Sequence, residues 1–166
     1  MKPWMFEKQI KIIESYLSEK HIMLEYGAGG STFHFSKFVQ KYVSIEHDEN
    51  WYEKLKNLPK NVEAYLCKPN NEIKLPVWIG EEKDFLNYIN FIEKISYKHY
   101  DVILIDGRAR KFCAKKILNY INENSVVFVH DYFERKRYHE IENYYYLINE
   151  HKDAKQSLAV FKKKVD

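Results

Sequence analysis

The amino-acid sequence predicts an α/β domain: a mostly parallel sheet with helices on both faces. Three observations carry that expectation. Strand-like and helix-like patterns alternate five times, as a parallel sheet with crossover helices requires. The run Asp-Val-Ile-Leu-Ile-Asp at 101–106 is apolar on both faces, as a central parallel strand should be. Three of the five glycines, Gly27, Gly29 and Gly30, fall in one loop directly after the first strand-like run.

Residues from about Pro3 to Lys20 place Phe6, Ile10, Ile13 and Leu17 at helical spacing. His21 to Tyr26 is a short apolar run stopped by Gly27, and it reads as a buried strand. A helix is expected over Ser31–Gln40, a second strand over Tyr42–Glu46, and a helix over Glu49–Leu58 that ends at Pro59. Val62 to Cys67 is a third strand, closed by Lys68-Pro69. A looser stretch with Pro76 and Trp78 leads into a long helix, Glu81–Ile95. The strand at 101–106 follows, then a helix over Arg110–Tyr120 and a fifth strand over Val126–Asp131. The tail carries a short helix near Tyr138–Glu142 and two strand-like runs, Tyr144–Asn149 and Leu158–Lys162. Their short connection predicts a hairpin, which makes one edge of the seven-stranded sheet antiparallel. That separates this doubly wound sheet from the dinucleotide dehydrogenase version of the fold.

A chain of 166 residues is one domain on length and can bury a real core. At 45% apolar and 31% charged residues it is globular rather than disordered. A net charge of +3 with interspersed signs is too mild to argue for nucleic acid, and Lys162, Lys163 and Lys164 read as a solvated strand end. Cys67 and Cys113 form no CxxC, which argues against a zinc site or a disulfide framework and fits a reducing compartment. No apolar run approaches a membrane span, and Met1–Phe6 lacks the apolar stretch of a signal peptide, so a cytoplasmic protein is expected.

Ligands in such sheets bind past the carboxyl ends of the strands, at the switch point. After the first strand stands Glu25-Tyr26-Gly27-Ala28-Gly29-Gly30-Ser31-Thr32. Glycines there allow a tight turn and close approach of a ligand, and Ser31 or Thr32 could cap the following helix. After the second strand stands Glu46, a carboxylate suited to both hydroxyls of a ribose. NAD and S-adenosylmethionine would each satisfy these features. Three points favour the latter: the loop lacks the third glycine of GxGxxG, Glu25 would repel a pyrophosphate, and the fourth strand ends in an acid, Asp106.

Together the segments at 24–32 (LEYGAGGST), 44–55 (SIEHDENWYEKL), 100–110 (YDVILIDGRAR) and 126–135 (VVFVHDYFER) resemble class I S-adenosylmethionine-dependent O-methyltransferases, which have a Rossmann-like fold. The resemblance is greatest to the group that includes plant glucuronoxylan 4-O-methyltransferases and related small bacterial and viral proteins. It implies that Glu25 and the loop residues Gly27, Ala28, Gly29 and Ser31 contact the methionine part of the cofactor, with Asp106 nearby. It also implies that Glu46 holds the ribose and that His47 lies near the adenine. The family's acid after the third strand has no counterpart in Cys67-Lys68-Pro69-Asn70, so adenine would rely on Asn70 or on backbone groups.

Asp106 and Asp131 end neighbouring strands, with His130 beside the latter, so the three could converge. They could bind Mg²⁺ or Mn²⁺ that activates an acceptor hydroxyl, or Asp106 or His130 could act as a metal-free base, or all could be structural. Arg108, Arg110 and Arg135 could clamp an acidic acceptor, or be ordinary solvated arginines, and Tyr132 offers an aromatic face to a sugar or an unpaired base. The expectation is therefore methyl transfer to a hydroxyl of a carbohydrate or glycan. RNA, a small metabolite, or service as a non-catalytic partner subunit are the alternatives.

Overall fold

The computed structural model describes residues 1–70 and 82–165. The expected loose stretch with Pro76 and Trp78, and the start of the expected helix at Glu81, lie outside the described residues. The chain forms β1 (Ile22–Tyr26), β2 (Lys41–Glu46), β3 (Val62–Leu66), β4 (Val102–Ile105), β5 (Val126–His130), β6 (Tyr145–Lys152) and β7 (Ser157–Lys163). They make one seven-stranded sheet in the order β3-β2-β1-β4-β5-β7-β6. β1 to β5 run parallel; β7 is antiparallel to both β5 and β6. The expected C-terminal hairpin is present, with β7 inserted between β5 and the edge strand β6.

Alternation along the strands divides the core in two. Leu24, Tyr26, Val43, Ile45, Ile103, Ile105, Val127 and Val129 pack on one face, under α4 (Leu86–Asn90) and α5 (Arg110–Lys116). Met23, Tyr42, Val102, Leu104 and Phe128 pack on the other, against Ile10 and Ile13 of α1 (Glu7–Glu14) and Phe35 of α2 (Gly30–Phe35). The parallel order reverses at β1 and β4, which places the switch point over the glycine loop.

The helices are shorter than their apolar periodicity predicts. α1 begins after Phe6, whose N–H donates to Gln9 Oε1 (3.1 Å), and it closes at Ser15, whose hydroxyl donates to the Ile12 carbonyl (2.7 Å). The helix after β2 keeps one turn, α3 (Glu49–Tyr52), capped by Asp48, which accepts from the Trp51 N–H (3.0 Å). Lys54 and Leu55 then bond back only three residues, and Asn57 is left-handed (φ +58°). The segments 36–38, 91–94 and 117–120 tighten to 3₁₀ geometry, and 136–143 is 3₁₀ throughout. At the lysine-rich end, Lys163 and Lys164 donate to the carbonyls of Leu118 and Glu142 (2.9 and 2.6 Å), so this end is tied down rather than merely solvated. No described helix is long and apolar enough to cross a membrane.

Candidate active site

Strand register assembles the site. Tyr26 pairs with Ile45 on one side and Ile105 on the other, so Gly27 stands between the tips of β2 and β4. Gly27 and Gly29 adopt φ of +121° and +155°, which a side chain would strain. The Gly27 N–H donates to the Ile45 carbonyl (2.8 Å), and Ser44 Oγ donates to the Gly27 carbonyl (2.7 Å).

Beneath this loop Glu25 is buried, and both its oxygens are taken. Ser31 shares a short hydrogen bond with Oε1, while Thr32 Oγ1 (2.7 Å) and the Tyr42 hydroxyl (2.9 Å) donate to Oε2. Burial outweighs these hydrogen bonds and pushes its pKa from 4.5 up to about 8, with Asp106 adding repulsion. Near neutral pH the side chain is a neutral acid that braces the loop, so the expected repulsion of a pyrophosphate by a Glu25 charge does not operate. Neither Ser31 nor Thr32 is the helix cap. That position is Gly29, whose N–H donates to Thr32 Oγ1 (3.1 Å).

At the tip of β2, Glu46 is buried, and its Oε1 accepts from the backbone N–H groups of His47 and Asp48 (both 2.8 Å). His47 Nδ1 also stands 2.9 Å from Oε1. Oε2 takes no hydrogen bond from a described residue, which leaves it for a ligand.

The tips of β4 and β5 hold a charge cluster. Ile105 pairs with Val129, so Asp106 faces His130 rather than Asp131. His130 Nδ1 lies 3.0 Å from Asp106 Oδ1, and Nε2 lies 3.3 Å from Gln9 Oε1. Gln9 Oε1 already accepts from the Phe6 N–H, so the imidazole must donate to it. With a carboxylate on the other nitrogen, the surroundings of His130 favour the imidazolium form. Burial alone would lower its pKa, but Asp106 and Asp131 raise it above its ordinary value. Burial would raise Asp106, yet His130, Arg110 and Arg135 hold it below the usual carboxylate range.

Arg110 is buried and spent within the protein. Its Nε donates to the Gly107 carbonyl (2.9 Å), Nη2 to the Asp106 carbonyl (3.0 Å) and Nη1 to the His130 carbonyl. The same guanidinium lies 3.4 Å from Asp106 Oδ1 and 3.7 Å from Asp131 Oδ2. This corrects two expectations. Arg110 rivets the β4 and β5 loops instead of clamping an acceptor. It also supplies the positive charge between the two acids, so the trio Asp106, His130 and Asp131 does not fit a divalent cation. Among the described residues no group of three histidine, cysteine or acidic side chains could hold a metal ion.

A cleft of about 640 Å³ joins the two halves, within the range of ligand pockets. Glu25, Gly27, Ala28, Gly29, Ser31, Glu46, His47, Asp106, Arg108, Arg110, His130, Asp131 and Arg135 all line it. Tyr132 does not. Its ring is fully buried, stacked on His139 and edge-on to Phe161, with its hydroxyl donating to Glu142 (2.8 Å), so it cannot meet a sugar. Asn70 is also elsewhere, accepting from the Asn87 N–H (2.9 Å). The cleft gains residues the sequence pattern did not single out: Trp51, Gln156 and the strap Met1–Trp4. Trp51 stood in the motif after β2 and was legible there; the strap carried no signal.

Solved structures share this architecture. One is a methyltransferase-like protein from Silicibacter pomeroyi (20% identity, 98% of this chain and 89% of that one, TM-score 0.71). Another is a TehB-like SAM-dependent methyltransferase from Corynebacterium glutamicum (14% identity, 93% and 86%, TM-score 0.62). A third is a proposed methyltransferase from Streptococcus mutans in complex with SAH (14% identity, 96% and 100%, TM-score 0.62). The chain has the Rossmann-like methyltransferase fold. No family profile and no curated protein matches it. The antiparallel β7 between β5 and β6 belongs to this methyltransferase form of the sheet.

Proposed function

We propose that the chain is an S-adenosylmethionine-dependent O-methyltransferase whose acceptor is a hydroxyl of a carbohydrate or glycan. The observation that carries the cofactor reading is the pairing, in one cleft, of a glycine loop at Gly27–Gly29 with a Glu46 carboxylate oxygen that no described residue bonds. Those residues fit the group: the loop backbone would hold the methionine part, Glu46 Oε2 the ribose hydroxyls, and His47 and Trp51 would flank the adenine. Bound there, S-adenosylmethionine supplies an electrophilic methyl carbon on a sulfonium.

This chain's own residues then orient the acceptor and take its proton. His130 cannot, since both its nitrogens face acceptors. Asp106 is committed to His130 and Arg110. Asp131 is held more loosely: Oδ2 lies 3.5 Å from Arg135 and 3.7 Å from Arg110, and Oδ1 lies 3.6 Å from His130 Nδ1. It is the carboxylate left to accept a hydroxyl proton while the oxygen attacks the methyl carbon. Asp131 is left-handed (φ +50°), a departure from the extended backbone of β5 just before it. The carbohydrate assignment is supported by Trp4, 79% exposed at the cleft rim, where an indole offers a flat face to a sugar ring.

The decisive test is thermal stability with S-adenosylhomocysteine. The midpoint rises in the native protein and not in Glu46→Ala. No rise with the native protein would overturn the proposal.

A further inference from the structure

Of the three arginines in the cleft, Arg110 is consumed by the loops. Arg135 is held in place: Nη1 donates to the Tyr138 hydroxyl (3.1 Å), Nη2 lies 3.5 Å from Asp131 Oδ2, and the guanidinium sits 5.7 Å from the centre of the Tyr138 ring. Arg108 is different. It forms no hydrogen bond or ion pair through its side chain with any described residue, and its Nε is buried without a partner. The side chain as a whole is half-buried and lines the cleft, so the unpaired Nε is a donor at the wall of a ligand-sized space.

The backbone that presents Arg108 is fixed on both sides. Gly107 sits beneath the Tyr88 hydroxyl, where any Cβ would collide. Ala109 is left-handed (φ +51°), and the Cys113 thiol lies 3.6 Å from the Arg108 carbonyl oxygen. Burial and the like charges of Arg110 and Arg135 disfavour the cation there, and Tyr138 and Tyr88 offset this only in part. Arg108, Arg110, Arg135 and His130 share this end of the cleft with the carboxylates Asp106 and Asp131.

We propose that Arg108, backed by Arg135, is the subsite for an anionic group on the acceptor, a carboxylate or a phosphate, beside the hydroxyl that is methylated. The placement follows from the sheet. Glu46 at the β2 tip and Arg108 after β4 flank the glycine loop on opposite sides, which sets the arginine at the end of the cleft away from the ribose anchor. A guanidinium there pairs with two oxygens of the anion and fixes the acceptor's orientation. This inference rests on the cofactor reading above. The same chemistry could be satisfied by the cofactor's own carboxylate, and the experiment separates the two.

The full-length chain is saturated with S-adenosylhomocysteine and titrated calorimetrically with inorganic phosphate at constant ionic strength, held with chloride. The expected result is saturable binding that Arg108→Gln weakens about tenfold or more, the scale of one charge-assisted hydrogen bond lost, and that Arg108→Lys partly restores. S-adenosylhomocysteine affinity should stay within about threefold in both variants, since no protein partner is lost. Phosphate that fails to bind the native protein, or binds Arg108→Gln equally well, overturns the proposal. So does a variant that loses S-adenosylhomocysteine while keeping phosphate, which would assign the arginine to the cofactor. If the native protein binds no S-adenosylhomocysteine, the cofactor reading fails by itself, and the same titration without it still decides whether Arg108 binds anions.

Discussion

Glu25→Gln probes the neutral acid under the glycine loop. In the folded protein burial lifts the Glu25 pKa to about 8, against 4.5 when exposed. The folded state therefore holds a proton that the unfolded chain releases, over the window from pH 4.5 to about 8. Stability from this group is fully present below pH 4.5 and is lost as pH rises towards 8. Each pH unit inside the window is worth at most ~1.4 kcal/mol. From pH 5.5 to 7.5 the loss is on the order of 2–3 kcal/mol, which for a domain of this length moves the midpoint by roughly 5–10 °C.

Glutamine reproduces the neutral acid. Oε2 accepts from Thr32 and Tyr42, and Oε1, which shares its short hydrogen bond with Ser31 alone, is the oxygen left to carry the acid's proton. A glutamine amide can donate from that position and accept at the other. Thermal unfolding of both proteins at pH 5.5 and 7.5 should give matched midpoints at the lower pH. At the higher pH the variant should hold up better. Other titrating groups, His130 and Asp106 among them, contribute equally to both proteins and cancel in the difference. Parallel pH profiles for native and variant would refute the reasoning, because they would mean that Glu25 is ionised and paired in the fold.

Glu46→Ala should weaken S-adenosylhomocysteine about 10- to 100-fold, as expected for hydrogen bonds to a charged acceptor, and calorimetry reads this directly. Asp131→Asn should lower methyl transfer by at least about 100-fold while S-adenosylhomocysteine affinity is unchanged; unaltered turnover would move the base elsewhere. Gly30→Ala should cost about 1–3 kcal/mol in urea denaturation, because a Cβ would overlap the Lys2 carbonyl and the strap would have to lift. Chelation by EDTA should leave turnover unchanged, since Arg110 already supplies the cation between Asp106 and Asp131; activity restored by Mg²⁺ or Mn²⁺ after EDTA would show the contrary.

The strand tips were readable because a residue of distinct chemistry stands at or just past each strand end: Gly27, Glu46, Asp106 and His130. Helix lengths were not, because apolar spacing persists through 3₁₀ turns such as 117–120, where only the hydrogen-bond span changes. Tyr132 misled for a local reason. It follows Asp131, whose left-handed backbone breaks the in-out alternation of a strand and sends the next ring into the core. Arg110 misled for a distant one. Its partners are carbonyls on two different loops, and nothing in the order Asp-Gly-Arg-Ala-Arg announces which arginine turns inward.

A charged Glu25 would repel a pyrophosphate. In the fold burial suppresses that charge near neutral pH, outweighing the hydrogen bonds from Ser31, Thr32 and Tyr42 that would favour it. What distinguishes the methyltransferase fold from a dinucleotide-binding one here is topology. β7 runs antiparallel between β5 and β6, a placement that requires the tail to form a hairpin instead of another helix crossover. Residues 145–163 leave only 153–156 between the two strands, too few for a crossover, so chain length alone forbids the parallel alternative.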